Sequence, residues 1–499
     1  MSAVHERNSD QPSARMPEDM RHYVWMSDCI YHSRYQRGLD AATALVSVLA
    51  DRPLLNGREI PFVDLYRRCM TLDGDVLSAV WLDPSAFGWA VYAYHSVGVL
   101  GALKADLAAD KQHVRADHDR IEAALCEQLD YFKALAVGMH IAAGIDLELP
   151  APLDVTLPFT IPGTRFVICG QERARIAGVR DAMPVLDGDG PVRVEEARLV
   201  TRHGCHFQLN SWCGQVPHID CPEVGIAATF PAVIEPAHTQ AIDRALDWIH
   251  LYAPDAFEVF RKWTRCLAVK QPQADGAGGV GSASFTFLPG LIHLKLVANP
   301  LWLAESFIHE SQHNRLFFLD EDTHILREIP GPAVNYSPWR RDARPPHGIL
   351  HAIAVFIPVT RFMLDICRAG VLQGEDQDYA LDFVVRQRYR NRMALDVMEA
   401  VGDFTAAGCA VFDEIRRASE ELDRDIVQAA LPENGPALHL EKPSARFVPT
   451  CSERTGAPMT SIEALLEHIE LYDAAGQAPA WRPVFERTLA QHATIAAPH

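Results

Sequence analysis

The spacing of hydrophobic residues predicts a mainly helical first third of the chain, over residues 22–148. Stretches such as LDAATALVSVLA and HDRIEAALCEQLDYFKALAVGMHIAAG place apolar side chains every three or four residues, which is the period of an amphipathic helix. The preceding residues 1–21 are polar and offer no such face. We therefore predict a disordered N-terminal tail followed by a helical region.

The pattern changes over residues 149–235. Short β-branched or aromatic runs, among them LDVTLPFTIPG and RFVICG, alternate with Pro and Gly. Runs of this length between turn residues are typical of strands joined by tight connections. We predict a small antiparallel β region here.

Helical periodicity resumes over residues 236–430, interrupted by the strand-like segment GLIHLKLVA. A C-terminal extension, 431–499, contains one more short helix, which Thr460 and Glu463 begin as a capping box. Taken together, these patterns predict an α+β fold that is predominantly α-helical, with the β region in the middle third.

Composition excludes several classes of function. The chain has 499 residues and a formal net charge of -19, and so acidic a protein repels phosphate backbones and anionic lipid surfaces. The polar N-terminus has no apolar core for a secretory signal, and no later segment reaches about 18 unbroken apolar residues. We expect no nucleic-acid partner and no membrane insertion; the sequence leaves the oligomeric state open.

Eleven cysteines are spread along the chain without a CxxC pair. An odd number at irregular spacing is typical of reduced, mostly buried thiols, in contrast to a disulfide framework. Their distribution predicts a reducing compartment, and we expect a cytoplasmic protein.

The segment FIHESQHNRLFFL contains the pattern H-E-x-x-H, formed by His309, Glu310 and His313. Asn299 and Pro300 are a good helix start, and on a helix the two histidines lie one turn apart on the same face, where both can reach one cation. A five-residue pattern also arises by chance, and the alternative is a pair of surface histidines on an amphipathic helix. The context must therefore supply a third ligand.

The extended peptidase pattern H-E-x-x-H-x-x-G-x-x-H fails, because Leu316 and Leu319 occupy its Gly and third His positions. Glu328 is a weak candidate because it lies in a loop-like segment. His347 and His351 stand one turn apart at the start of the next apolar helical run. We favour His351, which lies deeper in that run and is better placed to be held by packing.

An arginine cluster, Arg340, Arg341 and Arg344, immediately precedes this second helix. The planar guanidinium suits a carboxylate that must be held in one orientation. The alternative is a solvated basic loop that offsets the acidic surface. A peptidase has no evident use for such a cluster, whereas an enzyme with a dicarboxylic cosubstrate does.

FIHESQHNRL followed by YSPWRRDARPPHGILHAIAVF resembles the 2-oxoglutarate-dependent HExxH-type peptide β-hydroxylases, which are associated with the tailoring of ribosomally made peptides. The resemblance covers residues 285–360 well and the rest of the chain only in general helical character. It implies Fe(II)- and O2-dependent hydroxylation at the β-carbon of a peptide residue, with 2-oxoglutarate oxidised to succinate. The implied partner is a peptide substrate, such as a ribosomally made precursor.

Carried over to this sequence, the resemblance implies that His309, His313 and His351 bind the metal on two helices of the C-terminal half. It also implies that Arg344 or Arg340 anchors the distal carboxylate of 2-oxoglutarate. Tyr336, at the start of the second stretch, is a further candidate for binding this cofactor.

The metal itself stays open. The common iron triad has two histidines and one carboxylate, whereas three histidines also suit Zn, and Asp342 or Glu310 is the alternative third ligand. If the protein is a zinc metallohydrolase, Glu310 is the general base on the metal-bound water; in the oxygenase it orients a ligand or a water. A third hypothesis is a peptide-binding protein with an inert metal site.

Four arginines alternate along VVRQRYRNRM: Arg386, Arg388, Arg390 and Arg392. On a helix they form two pairs one turn apart. A solvated, salt-bridged face is favoured, and docking of an acidic peptide is the alternative.

Overall fold

The computed structural model describes residues 28–50, 54–55, 58–59, 61–81, 83–107, 112–170, 172–187, 191–210, 234–270, 281–286, 288–295, 297–327, 335, 337–339 and 344–429. The tail predicted at 1–21 and the extension predicted at 431–499, with its capping box, lie outside these residues. Within them the protein is α+β and predominantly helical, which confirms the predicted fold class.

The chain divides into two compact units. One comprises Met1–Ile234 and Thr264–Leu296, and the other comprises Glu235–Trp263 and Val297–His499. The chain first passes from one unit to the other between Ile234 and Glu235, one residue before the predicted start of the helical region at 236. Residues 264–296 lie in the region that we predicted to be helical apart from one strand-like segment, and the strands described there join a sheet of the first unit.

The helices described in the first unit are α1 (Asp28–Leu49), α2 (Phe62–Cys69), α3 (Gly74–Trp81), α4 (Pro84–Leu107) and α5 (Gln112–Ala143). Their core is aromatic. Phe132 of α5 lies 5.0 Å from Phe62 and 5.2 Å from Trp89, measured between ring centroids, and all three rings are buried. Rings at these separations contribute favourable contacts beyond their buried area, so they hold α2 and α4 against α5.

The strands are β1 (Leu54–Leu55), β2 (Arg58–Glu59), β3 (Leu147–Thr156), β4 (Phe159–Thr160), β5 (Phe166–Cys169), β6 (Arg173–Arg180), β7 (Met183–Asp187), β8 (Arg193–Glu196), β9 (Arg198–Arg202), β10 (Cys205–Asn210), β11 (Cys266–Lys270), β12 (Ser282–Phe285) and β13 (Leu288–Lys295). Two three-stranded sheets, β3-β6-β7 and β4-β5-β8, are antiparallel throughout. They confirm the β region predicted from the short runs.

A five-stranded sheet, in the order β12-β13-β11-β10-β9, is mixed. β11 pairs in parallel with both β10 and β13. Every residue of β13 before Lys295 is buried, as expected of a strand that lies inside a sheet with both faces covered. The strand-like segment before the H-E-x-x-H motif is therefore a strand. Through β10, the region predicted to be antiparallel also takes part in a parallel pair.

The helices described in the second unit are α6 (Pro236–Tyr252), α7 (Pro254–Trp263), α8 (Pro300–Thr323), α9 (Pro346–Arg368), α10 (Glu375–Val401) and α11 (Ala406–Ala429). The predicted start of α8 is confirmed: Asn299 Oδ1 accepts hydrogen bonds from the backbone N–H groups of Leu301 at 2.8 Å and Trp302 at 3.2 Å. Phe307 stacks on Phe260 of α7, with 5.0 Å between ring centroids. These contacts hold α8 against its neighbours.

α9 is the described helix whose length and composition would allow it to cross a membrane. Its apolar residues are mostly buried inside the second unit, including Ile349, Leu350, Ile353, Phe362 and Met363. This is the packing of a core helix.

The start of α11 packs closely against the segment that follows α8. The Thr405 and Ile325 backbones are hydrogen-bonded at 3.1 Å, and Gly408 N–H donates to Thr405 Oγ1 at 3.0 Å. A Cβ on Gly408 would collide with the Ile325 carbonyl oxygen and lie 2.8 Å from its carbon. Only glycine permits this approach.

We expect Gly408→Ala to destabilise the protein by about 1–3 kcal/mol, because backbone atoms must separate. The measurement is the midpoint of urea unfolding. Gly98→Ala is the matched control, since Gly98 is also helical but has no atom within 4 Å of its added Cβ. It should stabilise α4 by up to about 1 kcal/mol, and equal effects of the two substitutions would contradict the packing argument.

Candidate metal centre

The two histidines of the H-E-x-x-H motif lie on one face of α8, as their spacing predicts. His309 and His313 have ring centroids 4.9 Å apart, and both side chains are half-buried. The intervening Glu310 is only 3% exposed. The pair therefore faces a partly open space, while the carboxylate between them is turned into the protein.

His351 of α9 meets this pair. Its Nδ1 lies 3.1 Å from Nδ1 of His313, and its side chain is 5% exposed. Two neutral imidazoles at this distance share one proton, which one ring donates and the other accepts. The Nε2 atom of His351 is buried without a hydrogen-bond partner among the described residues.

The same separation fits two ligands of one cation. With metal–nitrogen bonds of about 2.1 Å, two nitrogens lie about 3.0 Å apart at a right angle and about 3.4 Å apart at the tetrahedral angle. The 3.1 Å between His313 and His351 falls in this interval. A divalent ion can thus replace the shared proton.

His347 has a different partner. Its Nε2 lies 3.2 Å from Oδ2 of Asp320 on α8, and its side chain is 43% exposed. Its ring centroid is 4.2 Å from that of His351. The geometry therefore favours His351 as the third ligand, whereas His347 pairs with Asp320.

The ligand atoms of His309, His313 and His351 do not all lie within 4.8 Å of one another.

Among the described residues, the group that meets this distance is His118, Asp119 and Glu122 on α5. The α5 group follows an H-D-x-x-E spacing that our reading of the sequence passed over. His118 is 3.6 Å from Asp119 and 3.9 Å from Glu122, the geometry of ion pairs on one helix face.

Aromatic rings surround the histidines. Phe356 of α9 lies 5.0 Å from His309 and stacks on Trp339 at 5.2 Å, while Phe317 of α8 lies 5.0 Å from His351. Trp339 Nε1 donates to Gln387 Oε1 at 2.8 Å, which fixes that indole. Nothing in the motif predicted this wall; its effect is to limit the access of water to the imidazoles.

One turn before His309, Glu305 lies on the same face of α8 and accepts a hydrogen bond from Tyr379 Oη at 2.7 Å. Burial raises the pKa of this carboxyl group, although the Tyr379 hydrogen bond opposes the shift. Trp302, which is 52% exposed, stacks on Tyr379 at 5.9 Å. A stripe on α8 thus leads from an exposed aromatic ring to the histidines, a feature that sequence reasoning missed.

Arg344 precedes α9 by two residues. Its backbone N–H donates to the Asn335 carbonyl at 3.0 Å, and the two residues form an antiparallel bridge. Its side chain is half-buried and packs over Gly348. Of the other predicted cofactor-binding residues, Arg340 and Tyr336 lie outside the described residues, as do Asp342 and Glu328.

Burial lowers the pKa of all three candidate ligands. The pKa of His309 falls although the charge of Glu310 opposes the shift, and the pKa of His313 falls well below 6.5, with a further contribution from the neighbouring histidines. Burial, followed by the charge of His347, lowers the pKa of His351 to about 3. At neutral pH all three rings are therefore uncharged, the form that binds metal.

These shifts predict how stability depends on pH. The unfolded histidines take up protons below about pH 6.5, whereas the folded rings stay neutral, so the metal-free protein should lose stability as the pH falls from about 6.5 toward the folded pKa values. Urea unfolding between about pH 8 and pH 5 measures this. His351→Ala should reduce the slope by about one proton, and an unchanged slope would contradict the assignment.

No protein-family model matches this chain, and no curated protein matches it either.

Proposed function

We propose that the protein is an Fe(II)- and 2-oxoglutarate-dependent oxygenase that hydroxylates the β-carbon of a residue in a peptide substrate. The observation that carries the proposal is the approach of His351 to the H-E-x-x-H face, 3.1 Å between its Nδ1 and that of His313. This contact joins residues 38 positions apart in the sequence. The two stretches that contain them resemble the β-hydroxylase family when taken together, whereas either stretch alone is far less specific.

In this proposal His309, His313 and His351 hold the metal. Bound iron, with O2 and 2-oxoglutarate, supplies the oxidising power to replace C–H by C–OH while the 2-oxoacid becomes succinate and CO2. Three neutral histidines leave the full charge of a divalent cation in place, which attracts an anionic 2-oxoacid. Three protein ligands would also leave positions on the metal for the 2-oxoacid and O2.

The remaining residues would bind the 2-oxoglutarate and shield the reacting centre from water. Arg344, with Arg340 and Tyr336 as further candidates, would hold the distal carboxylate of 2-oxoglutarate through charge-assisted hydrogen bonds. Phe317, Phe356 and Trp339 would exclude water from the reacting centre, which strengthens the electrostatic interactions inside it.

The alternative is a zinc metallohydrolase in which Glu310 is the general base. Three histidine ligands suit zinc as well as iron, which is the reason to keep this alternative. A general base must reach the water on the open side of the metal. Glu310 is 3% exposed while the flanking histidines are half-buried, so the carboxylate is better placed to orient a ligand from behind.

We further propose that the protein acts in the cytoplasm on a soluble peptide. The cysteines that the structure describes are free thiols, for example Cys69, Cys205, Cys266 and Cys367, all of which are buried. Burial raises the pKa of Cys69 and Cys367 to about 12, so these thiols are unreactive. Free, protonated thiols agree with a reducing compartment.

The first experiment reconstitutes the metal-free protein with Fe(II) under anaerobic conditions and then adds 2-oxoglutarate. We expect the visible charge-transfer band of a chelated 2-oxoacid, and its loss on exposure to O2 with release of succinate. If no band forms while zinc binds tightly and peptides are cleaved in a Glu310-dependent manner, the hydrolase is correct. If His309→Ala leaves the affinity for a peptide unchanged and neither activity appears, the inert binder is correct.

A further inference from the structure

A cavity of about 280 Å³ lies in the second unit, apart from the candidate metal centre. Its walls come from α10 and α11, and none of its lining residues belongs to α8 or α9. The arginine row of α10 supplies part of the wall. Arg386 pairs with Asp382, and Arg388 and Arg392 both approach Asp423. The row is thus salt-bridged, as we favoured, but Arg388 is buried, in contrast to a solvated face.

Asn391 lines this cavity and is 1% exposed. Neither Oδ1 nor Nδ2 of its amide has a hydrogen-bond partner among the described residues. Burying both a donor and an acceptor without partners costs folding free energy, and native proteins rarely keep such a group without a reason. A leucine of similar shape would fill the position at no such cost.

Arg388 presents a second unsatisfied donor to the same space. Its side chain is 10% exposed and its Nε donates to Asp423 Oδ1, while Nη2 is buried without a partner among the described residues. The other oxygen of Asp423 lies 3.7 Å from Arg392 Nη2. One carboxylate is thus shared between two guanidinium groups.

The charges around the cavity leave a surplus of one positive charge. Arg388, Arg392 and Arg424 line it, against Glu420 and Asp423. Arg424 and Glu420 are exposed, whereas the Arg388 side chain is only 10% exposed. A positive surplus next to this guanidinium favours a bound monoanion. The unsatisfied groups require two acceptors, for Arg388 Nη2 and Asn391 Nδ2, and one donor, for Asn391 Oδ1.

We propose that this cavity is a binding site for a small monoanionic hydroxycarboxylic acid. The carboxylate accepts hydrogen bonds from Arg388 Nη2 and Asn391 Nδ2, and the hydroxyl group donates to Asn391 Oδ1. The volume lies just below the range of drug-sized ligand pockets, which suits a small metabolite. The site does not depend on the proposed oxygenase activity.

The test uses the full chain, freed of metal by a chelator, with L-lactate as the probe. Propionate keeps the charge and lacks the hydroxyl group, and lactamide keeps the hydroxyl group and lacks the charge. By calorimetry and thermal unfolding we expect lactate to bind, propionate to bind at least about tenfold more weakly, and lactamide and chloride to have no effect.

Asn391→Leu is the decisive variant. It should raise Tm without ligand by a few degrees, because it removes the unsatisfied amide, and it should abolish the response to lactate. Glu399→Leu, which introduces the same side chain at an exposed position of α10, should keep that response.

Three results would overturn the proposal. The first is no response to lactate in the parent protein, which would mean a cavity that holds water only. The second is equal binding of lactate, propionate and chloride, which would mean a non-specific anion site. The third is an Asn391→Leu variant that is less stable yet still binds lactate, which would show that the amide serves the fold.

Discussion

His351→Ala should lower the affinity for Fe(II) by more than about 100-fold, the upper range for changes outside the coordination sphere, and should remove the 2-oxoacid charge-transfer band. The reason is geometric. Among the described residues of α9, His351 is the histidine that reaches the motif on α8, with its Nδ1 3.1 Å from that of His313. Its loss leaves His309 and His313 as two ligands on one helix. Metal content after dialysis and the visible spectrum measure the effect.

His347→Ala is the matched control, because it removes an imidazole from the same helix one turn earlier. His347 pairs with Asp320 at 3.2 Å and is far more exposed, so its loss should change metal affinity by no more than about 100-fold, as for groups that only orient ligands. If the two variants exchange these behaviours, the third ligand is His347. If both keep the band, the ligand is a carboxylate.

Local signals in the sequence were sufficient for the elements that carry the site. Asn299 begins α8 because its side chain and the following proline satisfy a helix start on their own, and the apolar run that contains His351 is helical along its whole length. The strand before the motif was also readable from its residues. Each of these depends on interactions within a few positions of the chain.

The pairing of the strands was harder to predict from the sequence. β10 and β11 pair in parallel although more than 50 residues separate them, and β11 then pairs in parallel with β13. Alternation of apolar residues indicates that a strand exists, but a parallel neighbour is chosen by the connection between the strands and by tertiary packing. The division into two units follows from the same non-local pairing.

The arrangement of residues in the site also depends on tertiary packing that local sequence patterns do not predict. The spacing of His309 and His313 alone places them on one face. The choice between His347 and His351 depends on which imidazole reaches His313 and which pairs with Asp320. The aromatic wall of Phe317, Phe356 and Trp339 combines residues of three segments. No spacing rule brings these together, because rings from different helices meet only after the helices pack.

Arg344→Met should weaken the binding of 2-oxoglutarate by about 100-fold and leave the Fe(II) affinity unchanged. Two charge-assisted hydrogen bonds to a carboxylate contribute on the order of 3 kcal/mol together, and methionine keeps the aliphatic packing over Gly348. Arg344 lies two residues before α9, and its side chain packs over Gly348, which is three residues before His351. In the proposed site the guanidinium would bind the distal carboxylate, while the metal held by His351 would bind the 2-oxoacid end.

The control is Arg361→Met, which removes an equal charge from α9, where Arg361 pairs with Asp425. Titrating the charge-transfer band with 2-oxoglutarate should give a weaker Kd for Arg344→Met and the parent value for Arg361→Met. Pyruvate, which lacks the distal carboxylate, provides a second comparison, because the parent protein should bind it as weakly as Arg344→Met binds 2-oxoglutarate. If Arg344→Met still discriminates strongly between the two acids, the anchor is another residue, and Arg340 is the next to substitute.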